Sequence, residues 1–260
     1  MKIKDFCELM EEIAPRTLAM EGDNVGLLVG TDRDDIKKVL VALDCTVEIA
    51  KEAVAWGADL VLTHHPLFFH PIQRFGPDYV DSAAAYILAR NGIGMFAAHT
   101  NLDAAAGGVN DVLASLLGLS NVVPLEPDKL GRIGELGSPV TLGELIERCE
   151  AALHCKCRFC GNICEHVCKV AVIGGSGGGD IFEAWKNGAD AFVTGEAKYG
   201  QGIEADVLGL KVITCGHYET ESVVLNPLIS RLQNEKNDVE YRIAKSKYAA
   251  LCSYFGGEHE

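Results

Sequence analysis

Short apolar runs alternate with longer amphipathic stretches along most of the chain. The runs near 39–43, 59–63, 93–98, 168–173, 190–194 and 210–214 read as buried strands. Residues 4–14, 47–56, 80–90, 108–117, 141–152, 180–187 and 219–234 read as helices. Thr141-Leu142-Gly143-Glu144 has capping-box spacing at the start of one of them. Residues 238–254 are expected to add one or two edge strands. Alternating strands and helices predict an α/β protein with mixed, mostly parallel sheets flanked by helices.

The pattern repeats. Lys38–Thr63 aligns without a gap to Lys169–Thr194 at a constant shift of 131 positions, with nine identities. Among them Gly57-Ala58-Asp59 matches Gly188-Ala189-Asp190. Each segment reads as strand, turn, helix and second strand, a βαβ unit that requires parallel pairing. Two similar α/β lobes arising by internal duplication are therefore expected. Residues 1–125 would form the first and 126–260 the second, with the C-terminal segment free to return to the first. The stretch Leu125–Ser138, punctuated by proline and glycine, is the expected linker.

Composition changes this picture little. Of 260 residues, 48% are hydrophobic and 23% charged, which is ordinary for a globular protein. The formal net charge of -14 argues against non-specific nucleic-acid binding, which needs a basic face. Met1-Lys2-Ile3-Lys4-Asp5 leads into an amphipathic helix rather than the apolar core of a signal peptide. No apolar stretch is long enough to span a bilayer, so no membrane partner is expected. Without an export signal, the ten cysteines read as reduced thiols, and the expected location is the cytoplasm.

The candidate chemistry lies where strands should end. Three segments place histidines there: Thr63-His64-His65-Pro66, His99-Thr100-Asn101-Leu102-Asp103 and His217-Tyr218-Glu219-Thr220-Glu221. Imidazole and carboxylate together suit divalent zinc, iron or manganese. One catalytic zinc takes about three protein ligands, so five or six such groups imply two ions per chain. Adjacent strand residues point to opposite faces, so His64 and His65 can share a site only if the strand has ended, as Pro66 favours. The plainer readings are a core histidine, a polar turn with Asp103 as a cap, and an acid-rich helix start. The repeat matches Glu196 to His65, and Asp44 sits in a turn that matches the glycine-rich Gly174–Gly179. That glycine turn suits either a phosphate cradle or a close approach between lobes. His154, Cys155, Cys157, Cys160, Cys164, His166 and Cys168 crowd together. They read either as a structural zinc or iron–sulfur site or as small apolar strand residues.

Six motifs occur in order: Asp23-Asn24-Val25-Gly26-Leu27, Leu62-Thr63-His64-His65-Pro66-Leu67, His99-Thr100-Asn101-Leu102-Asp103, Gly174-Gly175-Ser176-Gly177, Thr194-Gly195-Glu196 and Gly216-His217-Tyr218 with Glu221. Over residues 4–250 the chain resembles the Nif-three-like family, dinuclear metal centre hexameric proteins also known as GTP cyclohydrolase I type 2 homologues. The resemblance implies paired α/β lobes, a toroidal homohexamer built as a trimer of dimers, and a two-metal site facing the cavity. His64, His65, Asp103, His217 and Glu221 would be the ligands, with His99 close by. The cyclohydrolase name implies hydrolytic opening of the purine imidazole ring of GTP, with His99 or Glu196 moving protons. The broader expectation is a metal-dependent hydrolase on a small polar substrate such as a nucleotide. The alternatives are metal storage or delivery, and a scaffold ring that metals merely stabilise. Many relatives carry a histidine shortly after the Thr-Gly-acid motif; here Lys198-Tyr199-Gly200-Gln201 has none.

Overall fold

A computed structural model describes residues 1–234 and 238–246. In chain order the strands are β1 (Gly26–Val29), β2 (Lys38–Ala42), β3 (Leu60–Thr63), β4 (Gly94–Ala97), β5 (Ser120–Pro124), β6 (Arg132–Thr141), β7 (Arg158–Cys160), β8 (His166–Ile173), β9 (Ala191–Thr194), β10 (Lys211–Thr214) and β11 (Glu240–Ile243). The helices are α1 (Ile3–Ile13), α2 (Val47–Trp56), α3 (Ala83–Arg90), α4 (Thr100–Ala104), α5 (Val109–Leu116), α6 (Leu142–Leu153), α7 (Ile181–Lys186), α8 (Tyr199–Leu208), α9 (His217–Glu221) and α10 (Leu225–Asn234).

Two sheets result, each with apolar clusters on both faces. The first has the order β1-β4-β3-β2-β11; its pairings are parallel except for the antiparallel β1 at one edge. The second has the order β5-β6-β8-β9-β10-β7. There, only the central β8-β9-β10 pairings are parallel, and antiparallel strands flank them. Strands β2, β3 and β9 and the last four residues of β8 are almost wholly buried, which explains their continuous apolar runs. The chain crosses back before it ends: α10 and β11 pack with α1 on the first sheet, through Leu225, Leu228, Leu232 and Tyr241. Residues 247–254, expected to continue the edge, lie outside the described residues.

Three departures from the sequence pattern have physical causes. The expected linker Leu125–Ser138 ends inside β6, because Arg132–Glu135 already pairs with β8. Gly137 and Pro139 fall where the β6–β8 register shifts, so glycine and proline there mark a bulged strand. The expected helix 219–234 is broken between α9 and α10 by a tight turn at Ser222–Val224. Pro227 fits this break, since its missing N–H is harmless only in a first helical turn. Helix α8 went unread because Gly200 and Gly202 weaken its helical pattern.

Candidate metal centre

Every candidate ligand comes from the carboxyl end of a strand or the first turns of the helix that follows. His64 and His65 leave β3 together, and their N–H groups still bond to the Ala42 and Leu43 carbonyls beyond β2. Thr63 Oγ1 donates to the His65 carbonyl at 2.7 Å and bends the chain there. The two rings therefore escape strand alternation and lie on one side, with centroids 5.1 Å apart. His99 precedes α4, and Asp103 lies within it. His217 and Glu221 open and close α9, four residues apart on one face.

Second partners fix the tautomers. His64 Nδ1 donates to the Ala98 carbonyl at 2.8 Å, and His65 Nδ1 donates to Asp44 Oδ1 at 2.7 Å. Each ring then presents an Nε2 lone pair inward, the arrangement found in metal-binding imidazoles. His65 Nε2 and His217 Nε2 face each other at 3.3 Å, and Glu221 Oε2 lies 2.9 and 3.1 Å from them. The edge of a tetrahedron about zinc, with metal–nitrogen bonds of 2.0–2.1 Å, is about 3.3 Å. On the other side of the carboxylate, His64 Nε2 lies 3.8 Å from Glu221 Oε1 and 3.6 Å from Asp103 Oδ1. Three buried atoms, His64 Nε2, Asp103 Oδ1 and Glu221 Oε2, have no aligned hydrogen-bond partner. Orphaned buried acceptors are costly, and cations bound on either side of the Glu221 carboxylate would satisfy them. The residues thus fit a metal: His65, His217 and Glu221 form one group that could hold an ion, and His64, His65 and His99 another.

The charges respond to this crowding. Burial opposes charge on Glu221, yet His217, His64 and His65 hold it well below the usual carboxylate range. Without metal, burial alone would lower His65, but Asp44 and Glu221 raise it to about 10, so a bound ion would take the place of the Nε2 proton. Burial raises Asp103 to about 6, His64 pulling it down and Glu221 pushing it up. Asp23 goes the other way: bonds from His99 and Thr100 overcome burial and lower it to about 2. An anionic Asp23 accepts from His99 Nδ1 at 2.9 Å and orients that ring against His64 and His65. Glu196 stands outside the ring cluster and half exposed, with Oε2 3.4 Å from His217 Nδ1.

The second sheet supplies room for Glu221. Gly174 and Gly175 line the glycine-rich turn, and a Cβ on Gly175 would overlap the Glu221 carboxylate. The turn's N–H groups are already engaged: Gly174 with Asn110, Gly175 with Thr220 and Gly177 with Thr194. It is a close-approach turn, and those three donors are spent on the protein. Asn110 ties it to α4 by also donating to the Asp103 carbonyl at 3.4 Å. Buried Arg132 holds α4's last carbonyls, Ala104 and Ala105, at 2.8 and 3.2 Å and pairs with Asp111.

All seven expected site residues, His64, His65, His99, Asp103, Glu196, His217 and Glu221, are gathered here. The sequence reading assigned no role to Asp23 or Phe69. Asp23 acts on a histidine 76 positions away, a distance no local pattern reveals. Phe69 is 60% exposed and stands edge-on to His99 at 5.8 Å. It lines an open groove of about 510 Å³ with Asp23, Asn24, Phe68, His70 and Ile72. The cysteine-rich stretch does not act as one unit: Cys160 bonds to Gly202, Cys168 to Leu136, and Cys164 is exposed.

Comparison with known proteins identifies the family and the fold. Residues 1–250 match the family model described as Duf34/NIF3 (NGG1p interacting factor 3). A Clostridium perfringens protein named GTP cyclohydrolase 1 type 2 homolog is 36% identical over 253 residues, 94% of this chain and 97% of that protein. A Methanocaldococcus jannaschii protein of the same name is 37% identical, covering 85% of this chain and 90% of its own length. Among solved structures, a Bacillus cereus protein related to NIF3 superposes with a TM-score of 0.89 at 25% identity, covering 98% and 99% of the two chains. Reduced HcgD from Methanocaldococcus jannaschii gives 0.84 at 34% identity, covering 94% and 98%.

Proposed function

The chain belongs to the Duf34/NIF3 family, and from that membership and the site geometry we propose a metal-dependent hydrolase acting on a small polar substrate. The observation that carries this reading is that three buried atoms of the centre, His64 Nε2, Asp103 Oδ1 and Glu221 Oε2, have no aligned hydrogen-bond partner. Glu221 lies between two ligand groups, His65 with His217 and His64 with Asp103, which supports two divalent ions per chain: zinc, iron or manganese. Bound there, such ions would activate water and polarise the bond under attack.

The chain's own groups do the rest. Asp23 keeps the Nδ1 proton on His99, so His99 Nε2 is the atom that takes or returns a proton. Glu196 orients His217, and Asp44 orients His65. Phe69 offers an exposed aromatic edge and face beside His99, suited to a planar heterocycle. That favours a nucleotide substrate, with purine imidazole-ring opening, the reaction in the relatives' name, as the first candidate. We place the protein in a reducing cytoplasm as a homohexameric ring, a trimer of dimers. Free thiols among the described cysteines support the first point. No described helix is long and apolar enough to cross a membrane.

The test is metal content followed by turnover. Wild type should carry about two ions per chain and open the imidazole ring of GTP, read as loss of the purine absorbance. His64→Ala/His217→Ala should remain folded, lose that metal and lose turnover. Retention of metal by the folded double variant would overturn the site. Two ions without turnover on any nucleotide would favour storage or delivery, a reading that thiols near β10 also support.

A further inference from the structure

Cys155 and Cys157 lie between α6 and β7, and Cys215 follows β10. Antiparallel pairing places Thr214 opposite Arg158, so the next step along the ladder sets Cys215 against Cys157. Their Sγ atoms are 3.5 Å apart, and Cys155 Sγ lies 3.9 Å from Cys157 Sγ. All three sulfurs fall within 4.8 Å of one another. A disulfide needs about 2.05 Å. Tetrahedral zinc with metal–sulfur bonds near 2.3 Å sets its sulfurs about 3.8 Å apart. Cysteines used only as small apolar side chains have no reason to meet sulfur to sulfur from two separate segments 58 positions apart.

The surroundings suit a closed structural site. Cys215 is buried in the cluster behind β8–β10, and Cys155 and Cys157 are half buried at its rim. Cys149, buried on α6, shares that apolar cluster with Cys215. Lys156, between the two rim cysteines, is paired with Glu150, so its cation is turned to that carboxylate. The Glu150 side chain also accepts from the Cys157 N–H at 3.1 Å and fixes the loop's course.

We propose that Cys155, Cys157 and Cys215 bind zinc as thiolates, in a site that shares no residue with the histidine centre. Binding is a proton exchange: each thiol releases its proton to solvent as its sulfur–zinc bond forms, and nothing is oxidised or reduced. The site pins the α6–β7 loop to the end of β10, the strand that leads through Gly216 to His217.

Cobalt(II) is the probe, added to the chelator-stripped, fully reduced full-length chain. Thiolate ligands give near-ultraviolet charge-transfer bands that a histidine–carboxylate centre does not give. Wild type should show these bands, saturating by three equivalents in all, two of them held by the histidine centre, and bleached by zinc. Cys157→Ala should abolish them, and Cys155→Ser should weaken binding at least ~10-fold. Zinc should also shield Cys155, Cys157 and Cys215 of wild type from alkylation, read by mass spectrometry, while exposed Cys164 keeps reacting. The shielding readout decides the matter even if Cys157→Ala fails to fold. Absence of the bands in reduced wild type, their survival in Cys157→Ala, or equal alkylation with and without zinc would each overturn the proposal.

Discussion

Strand β2 pairs with β3 in the register by which β8 pairs with β9. Val39 lies opposite Leu60 and Ala42 opposite Thr63; Val170 lies opposite Ala191 and Ile173 opposite Thr194. The likeness extends to single hydrogen bonds. Asp59 accepts from the Lys37 and Lys38 N–H groups at 2.8 and 3.1 Å, and Asp190 from those of Cys168 and Lys169 at 2.9 and 2.8 Å. Lys38 Nζ donates to the Trp56 carbonyl, and Lys169 Nζ to that of Asn187. The units part company at the carboxyl ends of their strands. The first places Asp44 after β2 and His64-His65 after β3; the second places Gly175 and Gly195-Glu196 at the matching positions. One end supplies donors and their anchor, and the other supplies space. A βαβ frame constrains the strands but leaves their carboxyl ends free, so chemistry can diverge there without disturbing the core.

The sharpest way to break this contrast is to remove the two members of a matched pair, His65 and Glu196, one at a time. His65→Ala should lower metal affinity by more than about 100-fold, about 2.7 kcal/mol, measured by equilibrium dialysis. Glu196→Ala should cost no more than about 10-fold, because Glu196 is half exposed and touches only the outer nitrogen of His217. Asp44→Ala should fall between them, since it anchors the inner ring of His65. Equal losses for His65 and Glu196 would mean that the two strand ends contribute alike.

The second contrast is space. Gly175 sits at φ +63°, where a side chain is strained, and its missing Cβ leaves room for Glu221. Gly175→Ala should destabilise by about 1–3 kcal/mol in chemical denaturation. It should also displace Glu221 and so reduce metal uptake. A variant with normal stability and uptake would show that the glycine turn does not serve close approach.

The frame was more legible than its ends. Strand and helix positions in both βαβ units follow from periodicity, because buried parallel strands must be apolar throughout. The histidine–acid spacings also exposed the centre, since a helix start such as α9 sets residues four apart on one face. Strand β7 is only three residues long and β1 is an edge strand of mixed burial, so neither carries the fully buried apolar run that marks the central strands. The pairing of Asp23 with His99 and the meeting of Cys157 with Cys215 depend on tertiary approach. Sequence proximity even misled: it grouped Cys155 with Cys168, whereas the ladder joins Cys157 to Cys215.

The matched aspartates offer a gentler test of the shared frame. Each accepts two backbone N–H groups that would otherwise go unpaired, so Asp59→Ala and Asp190→Ala should each cost about 1–3 kcal/mol. The two values should agree within about 0.5 kcal/mol if the clamps are equivalent. A much larger loss at Asp59 would assign the work to its extra ion pair with Arg33 instead.

The smallest effect is the pH dependence of that clamp. Burial alone would raise the Asp59 pKa, but the Lys37 N–H, Arg33 and the Lys38 N–H together lower it. A carboxyl whose folded pKa lies below its unfolded value of about 3.9 contributes stability in full above that value. The contribution fades as pH falls through the lower, folded pKa, where both states become protonated. Wild type and Asp59→Ala should therefore differ most above about pH 5, and the gap should narrow steadily below about pH 4. Arg33→Ala should shrink the pH-sensitive part while leaving the two backbone bonds, so some narrowing should remain. A gap independent of pH would mean that the carboxylate's charge adds nothing, and that the clamp works by hydrogen-bond geometry alone.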